Sequence, residues 1–270
     1  MIKKYLTILL GLSRLKEFLL QLFLIFILIF LISPHSILSY TAAVIFLANL
    51  FLTSFTYAIN DVEDAEDDKR DLKKRKRNII SNGTIGKRYG YLISFSLLIV
   101  GLAFLLLLNK LLFFVGLFLS LNSFLYSWKK LRLKSFPFLD LISHAFCLGI
   151  LQFLITYLAF RPLNLQIMPF LVLIVPFSFS TQILQELRDF RVDKKTKINN
   201  TAQLIGKKYS VALVYVFCVI LTMGFVILTE SLHLSEYSIY FSPLAFIVPL
   251  FYFKMKYNLP LISFKCLSRL

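Results

Sequence analysis

The run FLLQLFLIFILIFLISP, residues 18–34, carries no charged side chain and no alternation of polar with apolar positions. Seven further runs of similar length lie at 40–60, 89–109, 111–127, 138–160, 166–186, 209–229 and 237–253. A helix needs about 20 residues, within roughly 17–25, to cross the hydrocarbon of a bilayer. Lipid offers no hydrogen bonds, so uninterrupted apolar runs of this length cross it as helices, which satisfy their own backbone. The expected fold is all-α: a polytopic membrane helix bundle of about eight transmembrane helices, forming one domain over residues 1–270. The tail after Pro260 is apolar but too short to cross, so a ninth helix is truncated or absent. Pro176, Pro243 and Pro249 fall inside spans, where neighbouring helices can cover the carbonyls that proline leaves free. Composition agrees, with 58% of the 270 residues hydrophobic and 29 of them phenylalanine.

Charge supplies the orientation. With eight spans, the segments on the amino-terminal side are 1–17, 61–88, 128–137, 187–208 and 254–270, and they hold 28 of the 30 Lys and Arg residues. Only Lys110 and Arg161 fall opposite. The positive-inside rule then puts these segments and both termini in the cytoplasm, with the cell's inner membrane the expected location. The net charge of +16 reads as topology plus attraction to anionic headgroups. No basic surface exists apart from these loops, which argues against nucleic acid as a partner. Residues 1–15, with Lys3, Lys4 and Arg14 among leucines, suit a helix lying in the membrane interface. No small-residue cleavage site follows the first run, which speaks against a signal peptide. Cys147, Cys218 and Cys266 lack metal-ligand spacing, and His35, His144 and His233 are scattered, so neither zinc nor a disulfide framework is expected.

Against this background the acids stand out. Residues 60–68, NDVEDAEDD, place six carboxylates in nine positions directly after the apolar run ending FTYAI. On a helix Asp61, Asp64 and Asp68 stand at i, i+3 and i+7 and share a face. A second cluster, QELRDFRVD, follows the sixth run, and its Asp189 and Asp193 share a face at i, i+4. Each cluster extends the cytoplasmic end of an even-numbered span. Opposed carboxylates repel unless a cation lies between them. Mg²⁺ fits that need, because it takes oxygen ligands and bridges one or two carboxylates to substrate phosphates. Lys73 to Arg77, Lys129, Lys130, Arg132 and Arg188 can hold phosphate oxygens, arginine in bidentate fashion. A solvated, self-neutralising loop would explain one such cluster, but recurrence at matching places in the two halves speaks against it. The residues point to metal ions holding an anionic headgroup.

The pattern N-D-x-x-D-x-x-x-D is met by Asn60, Asp61, Asp64 and Asp68, D-x-x-x-D by Asp189 and Asp193, and Y-x-x-x-K by Tyr126 and Lys130. Together with RNIISNG at 77–83 and RLKSFPFLD at 132–140, these motifs resemble the UbiA superfamily of intramembrane prenyltransferases from about residue 45 to 210. The resemblance implies a bundle of usually nine helices around a central, lipid-accessible cavity, with a cytoplasmic cap carrying both Asp motifs. It implies Mg²⁺-dependent transfer of a prenyl group from a polyprenyl diphosphate to a hydrophobic acceptor, whether aromatic, carotenoid or another lipid. The residues it points to as metal-binding and catalytic are Asp61, Asp64, Asp68, Asp189 and Asp193, with Tyr126 assisting near the scissile bond. Asn60, Arg77, Lys130 and Arg188 would bind the diphosphate. Phe55, Tyr57 and Phe124 are candidates, by nearness to the motifs, for stabilising an allylic cation by cation–π contact.

The chain departs from the family pattern at Asn78, where Pro is usual, and at Gln185, where the second motif often begins with Asn. Those departures bear on subgroup more than on activity. The stretch YSWKKLRLKSFPFLDLISHA is similar to the branch acting on carotenoids, while quinone-precursor, glycerophosphate and haem acceptors stay open. Two other classes compete. A CDP-alcohol phosphotransferase would need Gly where Ala65 stands and its second Asp pair within one compact stretch. A transporter or scaffold would place ionisable residues near mid-membrane, whereas the middles of these spans carry no Asp, Glu, Lys or Arg.

Overall fold

The computed structural model describes residues 11–231. The eighth expected span at 237–253, Pro243, Pro249, His233, Cys266, the tail after Pro260 and residues 1–10 of the expected interfacial helix lie outside them. Every regular element among the described residues is helical. In chain order the helices are α1 (Leu15–Ile32), α2 (Tyr40–Asp68), α3 (Leu72–Arg77), α4 (Lys87–Leu108) and α5 (Lys110–Ser127). They are followed by α6 (Leu139–His144), α7 (Gln152–Leu158), α8 (Met168–Lys195) and α9 (Thr201–Ser231). Six segments are long and apolar enough to cross a membrane: Tyr40–Asp68, Lys87–Leu108, Lys110–Ser127, Leu139–Leu158, Leu165–Lys195 and Thr201–Ser231. The apolar part of α1, Gln21–Ile32, is shorter. These seven segments correspond to the first seven expected runs. The protein is an all-α integral membrane protein.

The helix boundaries follow local chemistry. Ser39 caps α2 by accepting the Ala42 N–H at 3.1 Å, and Asn109 caps α5 through the Leu112 N–H at 2.8 Å, satisfying donors that a helix start leaves open. Asp71 does the same for α3, accepting from the Lys73 and Lys74 amides at 2.9 Å. Helix α2 has 29 residues, about nine more than a span requires, and those extra turns carry the first acidic motif. The fifth expected span is composite. Between α6 and α7 the chain makes a π-helical stretch over Ala145–Leu151, a form that is rare and costly in isolation.

The described chain divides into two compact units that interleave in sequence. Among the described residues the first comprises 11–134 and 146–163, the second 135–145 and 164–231. In the first unit α2 is the central helix. Its Ala42, Ile45, Ala48 and Leu52 join Ile25 and Ile29 of α1, Leu105 of α4 and Leu112 of α5 in one buried cluster. Gly101 lets α4 approach closely, since a Cβ there would lie 2.8 Å from Leu52 Cδ2 and 3.2 Å from the Leu52 backbone nitrogen. Polar ties cross the same interior. Gln152 Nε2 donates to Thr53 Oγ1 at 2.9 Å, and Gln21 Nε2 to Gln152 Oε1 at 2.5 Å. Between apolar helices in lipid, such bonds and small residues hold what the hydrophobic effect does not.

The second unit is built on the α8–α9 pair, with Ile183, Leu184, Val214, Cys218 and Leu141 at its core. Pro176 inside α8 removes the donor that would have met the Val172 carbonyl. Gly224 of α9 sits against that carbonyl, where a Cβ would be 3.0 Å from the oxygen. Near its start α9 is broken at Gly206, whose φ of 79° lies in the region that favours glycine.

Candidate active site

The first acidic motif occupies the last turns of α2, and its members face different partners. Asp61 is fully buried and is gripped by Arg14, whose Nε donates to Oδ2 at 2.9 Å while Nη2 meets Oδ1. Both oxygens of Asp61, expected among the metal ligands, are thus engaged in a buried ion pair. Arg14, expected at the membrane interface, is instead a buried residue of the first unit. Asp68 Oδ2 accepts from Asn78 Nδ2 at 2.9 Å. That amide also donates to the Asp61 carbonyl at 2.8 Å, while Asn78 Oδ1 accepts from the amides of Ile80 and Ser81. The departure from Pro at 78 has a physical reason here: the side chain pins loop 78–81 to α2, and proline carries no group that can make those bonds.

Asp64 looks to the segment after α5. Arg132 Nη2 donates to Asp64 Oδ1 at 3.0 Å and to Asp67 Oδ2 at 2.7 Å. Lys134 Nζ lies 2.5 Å from Asp64 Oδ2 and 2.8 Å from Asn60 Oδ1. Asn60 Oδ1 also accepts from Ser127 Oγ at 3.1 Å. Arg132 takes a φ of 48°, an uncommon left-handed conformation that persists only where surroundings enforce it. Burial works against the Arg132 charge, but Asp64 and then Asp67 outweigh it and hold the guanidinium above the ordinary arginine pKa. Lys134 moves the other way. Burial lowers its pKa, Asp64 opposes this, and the adjacent Arg132 adds to the lowering. Two cations, Arg132 and Lys134, therefore share a confined place with Asp64 and Asp67.

The neighbouring turns are held by Glu63, which the motif does not include. Its Oε1 accepts from Tyr91 Oη at 2.5 Å and its Oε2 from the Lys129 amide at 3.3 Å. That contact anchors the exit of α5, where Tyr126 is half-buried and Lys129 and Lys130 are exposed. Lys130 Nζ stands 5.6 Å from the centroid of the Trp128 ring. Arg77 ends α3 and is half-buried. Among the aromatic candidates, Phe55 is packed in the core at 1% exposure, tilted against Phe95, which also meets Phe124. Tyr57 stacks on Phe18 with ring centroids 5.4 Å apart.

The second motif lies at the end of α8, in the second unit. Asp193 is buried, and its Oδ2 accepts from Asn200 Nδ2 at 3.0 Å. Asp189 is half-buried and pairs with the adjacent Arg188, Nε to Oδ1 at 3.0 Å. Glu186, three residues before Asp189, is buried with Oε2 accepting the Ala202 amide at 2.9 Å.

Among the described residues no three His, Cys, Asp or Glu side chains gather closely enough to form an all-protein metal cage. Mg²⁺ does not need one, since it keeps waters and takes one or two carboxylates together with substrate oxygens. The donor set at Asp64 suits such an ion. Asn60 Oδ1 and Asp64 Oδ2 already converge on one cation, the Lys134 ammonium, which stands in for a metal between two oxygen donors. Lys134 was not singled out among the basic residues: it lies within RLKSFPFLD at 132–140, and nothing local distinguishes it from the lysines beside it.

Known proteins resemble the chain along most of its length. By structure it is similar to a UbiA homologue from Archaeoglobus fulgidus bound to GPP and Mg²⁺, with a TM-score of 0.76 at 21% identity over 97% of this chain and 93% of that one. An apo UbiA homologue from Aeropyrum pernix K1 gives 0.74 at 15% identity, covering 91% and 90%. A digeranylgeranylglyceryl phosphate synthase structure gives 0.68 at 20%, covering 93% and 88%. No curated protein matches in sequence. The UbiA prenyltransferase family model matches residues 20–260, a span that takes in both acidic motifs and both compact units. With Asn60, Asp64 and Asp68 ending one long helix and Asp189 and Asp193 ending another, the chain belongs to the UbiA prenyltransferase family.

Proposed function

We propose that this protein transfers a prenyl group from a prenyl diphosphate to a hydrophobic acceptor within the membrane, with Mg²⁺ as the metal. The observation that carries this is the convergence of Asn60 and Asp64 oxygens on one cationic position, beside Arg132. Family membership and homologues bound to GPP or DMAPP with Mg²⁺ support the same reading. Residues 1–270 act as one catalytic domain, because the two units interleave in sequence. Asp64, Asp68, Asp189 and Asp193 would hold Mg²⁺ and, through it, the diphosphate. When bound, the metal supplies positive charge to the departing diphosphate. Asp61 holds the end of α2 through Arg14 rather than facing substrate.

The chain's own groups do the rest. Arg132 and Lys134 give charge-assisted bonds to phosphate oxygens, the former with a planar fork and the latter as a point charge. Arg77, Lys130 and Arg188 add to this binding, and Tyr126, at the exit of α5, orients the scissile end. Apolar helices keep water from the allylic carbon as its bond to oxygen weakens. The active site and both termini face the cytoplasm, in keeping with the distribution of basic residues.

The test uses full-length protein in nanodiscs, farnesyl or geranylgeranyl diphosphate, and a panel of aromatic, carotenoid and glycerophosphate acceptors. Diphosphate release and a prenylated product by mass spectrometry are expected, both abolished by EDTA and restored by Mg²⁺. Turnover undiminished by EDTA, or release of CMP from a CDP-alcohol with no prenylated product, would sink the reading.

A further inference from the structure

Two buried carboxylates in the second unit lie outside the N-D-x-x-D-x-x-x-D and D-x-x-x-D patterns. Asp140, at the start of α6, is fully buried, and Glu186 of α8 is 4% exposed. Both side chains accept hydrogen bonds from the same short segment, the first turn of α9. Thr201 donates its amide to Asp140 Oδ2 and its hydroxyl to Asp140 Oδ1, each at 2.5 Å. Ala202 donates its amide to Glu186 Oε2 at 2.9 Å, while Glu186 Oε1 accepts from Gln182 Nε2 at 2.9 Å.

The residue immediately before that turn is Asn200. Its Oδ1 caps α9 by accepting the Gln203 amide at 3.0 Å, and its Nδ2 donates to Asp193 Oδ2 at 3.0 Å. A continuous chain of bonds thus runs from the acid pair through the first turn of α9 and Asn200 to Asp193. Phe138, held at a φ of 65°, contributes its amide to Thr201 Oγ1 at 2.7 Å and fixes the approach to Asp140.

We propose that Asp140 and Glu186 form a clamp that positions Asp193 by anchoring the first turn of α9, with neither acid acting as a metal ligand. This rests on the assignment of Asp193 to the Mg²⁺-diphosphate site. Glu186 needs particular care, because it stands three residues before Asp189 and so invites the reading that it is one more ligand. Its oxygens are committed elsewhere. A carboxylate that ligates metal must be ionised, whereas one that only accepts hydrogen bonds can be replaced by a neutral amide. In Glu186→Gln the new side chain can accept from the Ala202 amide with its carbonyl, and the Gln182 amide can flip to accept from its NH₂.

The experiment therefore compares Glu186→Gln, Glu186→Ala, Asp140→Ala and Asp193→Asn in full-length protein in nanodiscs. Two readouts are independent of turnover: hydrogen exchange of the Thr201 and Ala202 amides in the metal-free protein, and Mn²⁺ affinity by electron paramagnetic resonance with inorganic diphosphate. Glu186→Gln should keep amide protection and bind Mn²⁺ within about threefold of the parent. Glu186→Ala and Asp140→Ala should lose protection and weaken Mn²⁺ by about 10–100-fold, the usual effect of removing a group that orients a ligand. Loss of Mn²⁺ binding in Glu186→Gln equal to that in Asp193→Asn would make Glu186 a ligand and overturn the proposal. Unchanged protection in Glu186→Ala would overturn it as well. If Asp193→Asn left Mn²⁺ affinity intact, the metal assignment of Asp193 would fail, while the exchange data would still decide the clamp.

Discussion

Asp61 and Asp64 are three residues apart on one helix, yet they meet different surroundings. The Asp61 carboxylate is wholly enclosed and paired to an Arg14 side chain that is 7% exposed. Removing one partner of such a pair leaves an uncompensated buried charge, costing about 3–5 kcal/mol. Arg14→Ala should therefore lower the thermal unfolding midpoint of the protein in detergent, and Asp61→Ala should lower it too. Asp64→Ala should abolish prenyl transfer and lower the midpoint less than Asp61→Ala, since Asp64 is 15% exposed and Arg132 keeps Asp67 as a charged partner. Equal midpoint losses at 61 and 64 would contradict this division. A second comparison ranks the cations. Lys134→Ala should reduce kcat/KM by roughly 10–1000-fold, the loss of about 1.4–4 kcal/mol of charge-assisted bonding. Lys130→Ala, which removes a side chain lying over Trp128, should cost less than Lys134→Ala. The reverse order would return the larger role to the Y-x-x-x-K lysine.

Among the elements, α2 organises the first unit because helices on several sides approach it closely. Gly101 on α4 is where that approach is tightest. Gly101→Val would drive a branched side chain into Leu52 and toward its backbone nitrogen, 3.2 Å from the new Cβ. Strain of about 1–3 kcal/mol is expected from such overpacking, read as a lower unfolding midpoint, with the acidic motif losing diphosphate affinity as α2 shifts. A midpoint unchanged by Gly101→Val would mean that α4 can retreat without cost. Pairing of α8 with α9 uses a different device: proline frees the Val172 carbonyl, and Gly224 lies directly against it. Neither contact shows in an apolar run read on its own, because any small residue in such a run looks like any other.

At the scale of the whole molecule, the distribution of basic residues makes a prediction about sidedness. Single cysteines near Lys110 and Arg161 should react with an impermeant thiol reagent added outside intact cells, and cysteines at 70–77 only after permeabilisation. Outside labelling at 70–77 would invert the topology. Apolar runs and loop charge were legible in the chain because lipid forces each span to satisfy its own backbone, and the spacing of Asp61, Asp64 and Asp68 and of Asp189 and Asp193 could be read directly from helical periodicity. A local pattern of that kind, 20 or so residues long, needs no partner to be read. Thus α2, α4, α5, α8 and α9 and the aspartate motifs were all expected where they lie. The pairings were not. Arg14 lies 47 residues from Asp61 in sequence, Lys134 lies 70 from Asp64, and Thr201 lies 61 from Asp140. Nothing local distinguishes Arg14 from an interfacial anchor, or Glu186 from one more acid of its cluster. Which neighbour each carboxylate meets depends on what the folded helices bring beside it, and only packing at long separation decides that.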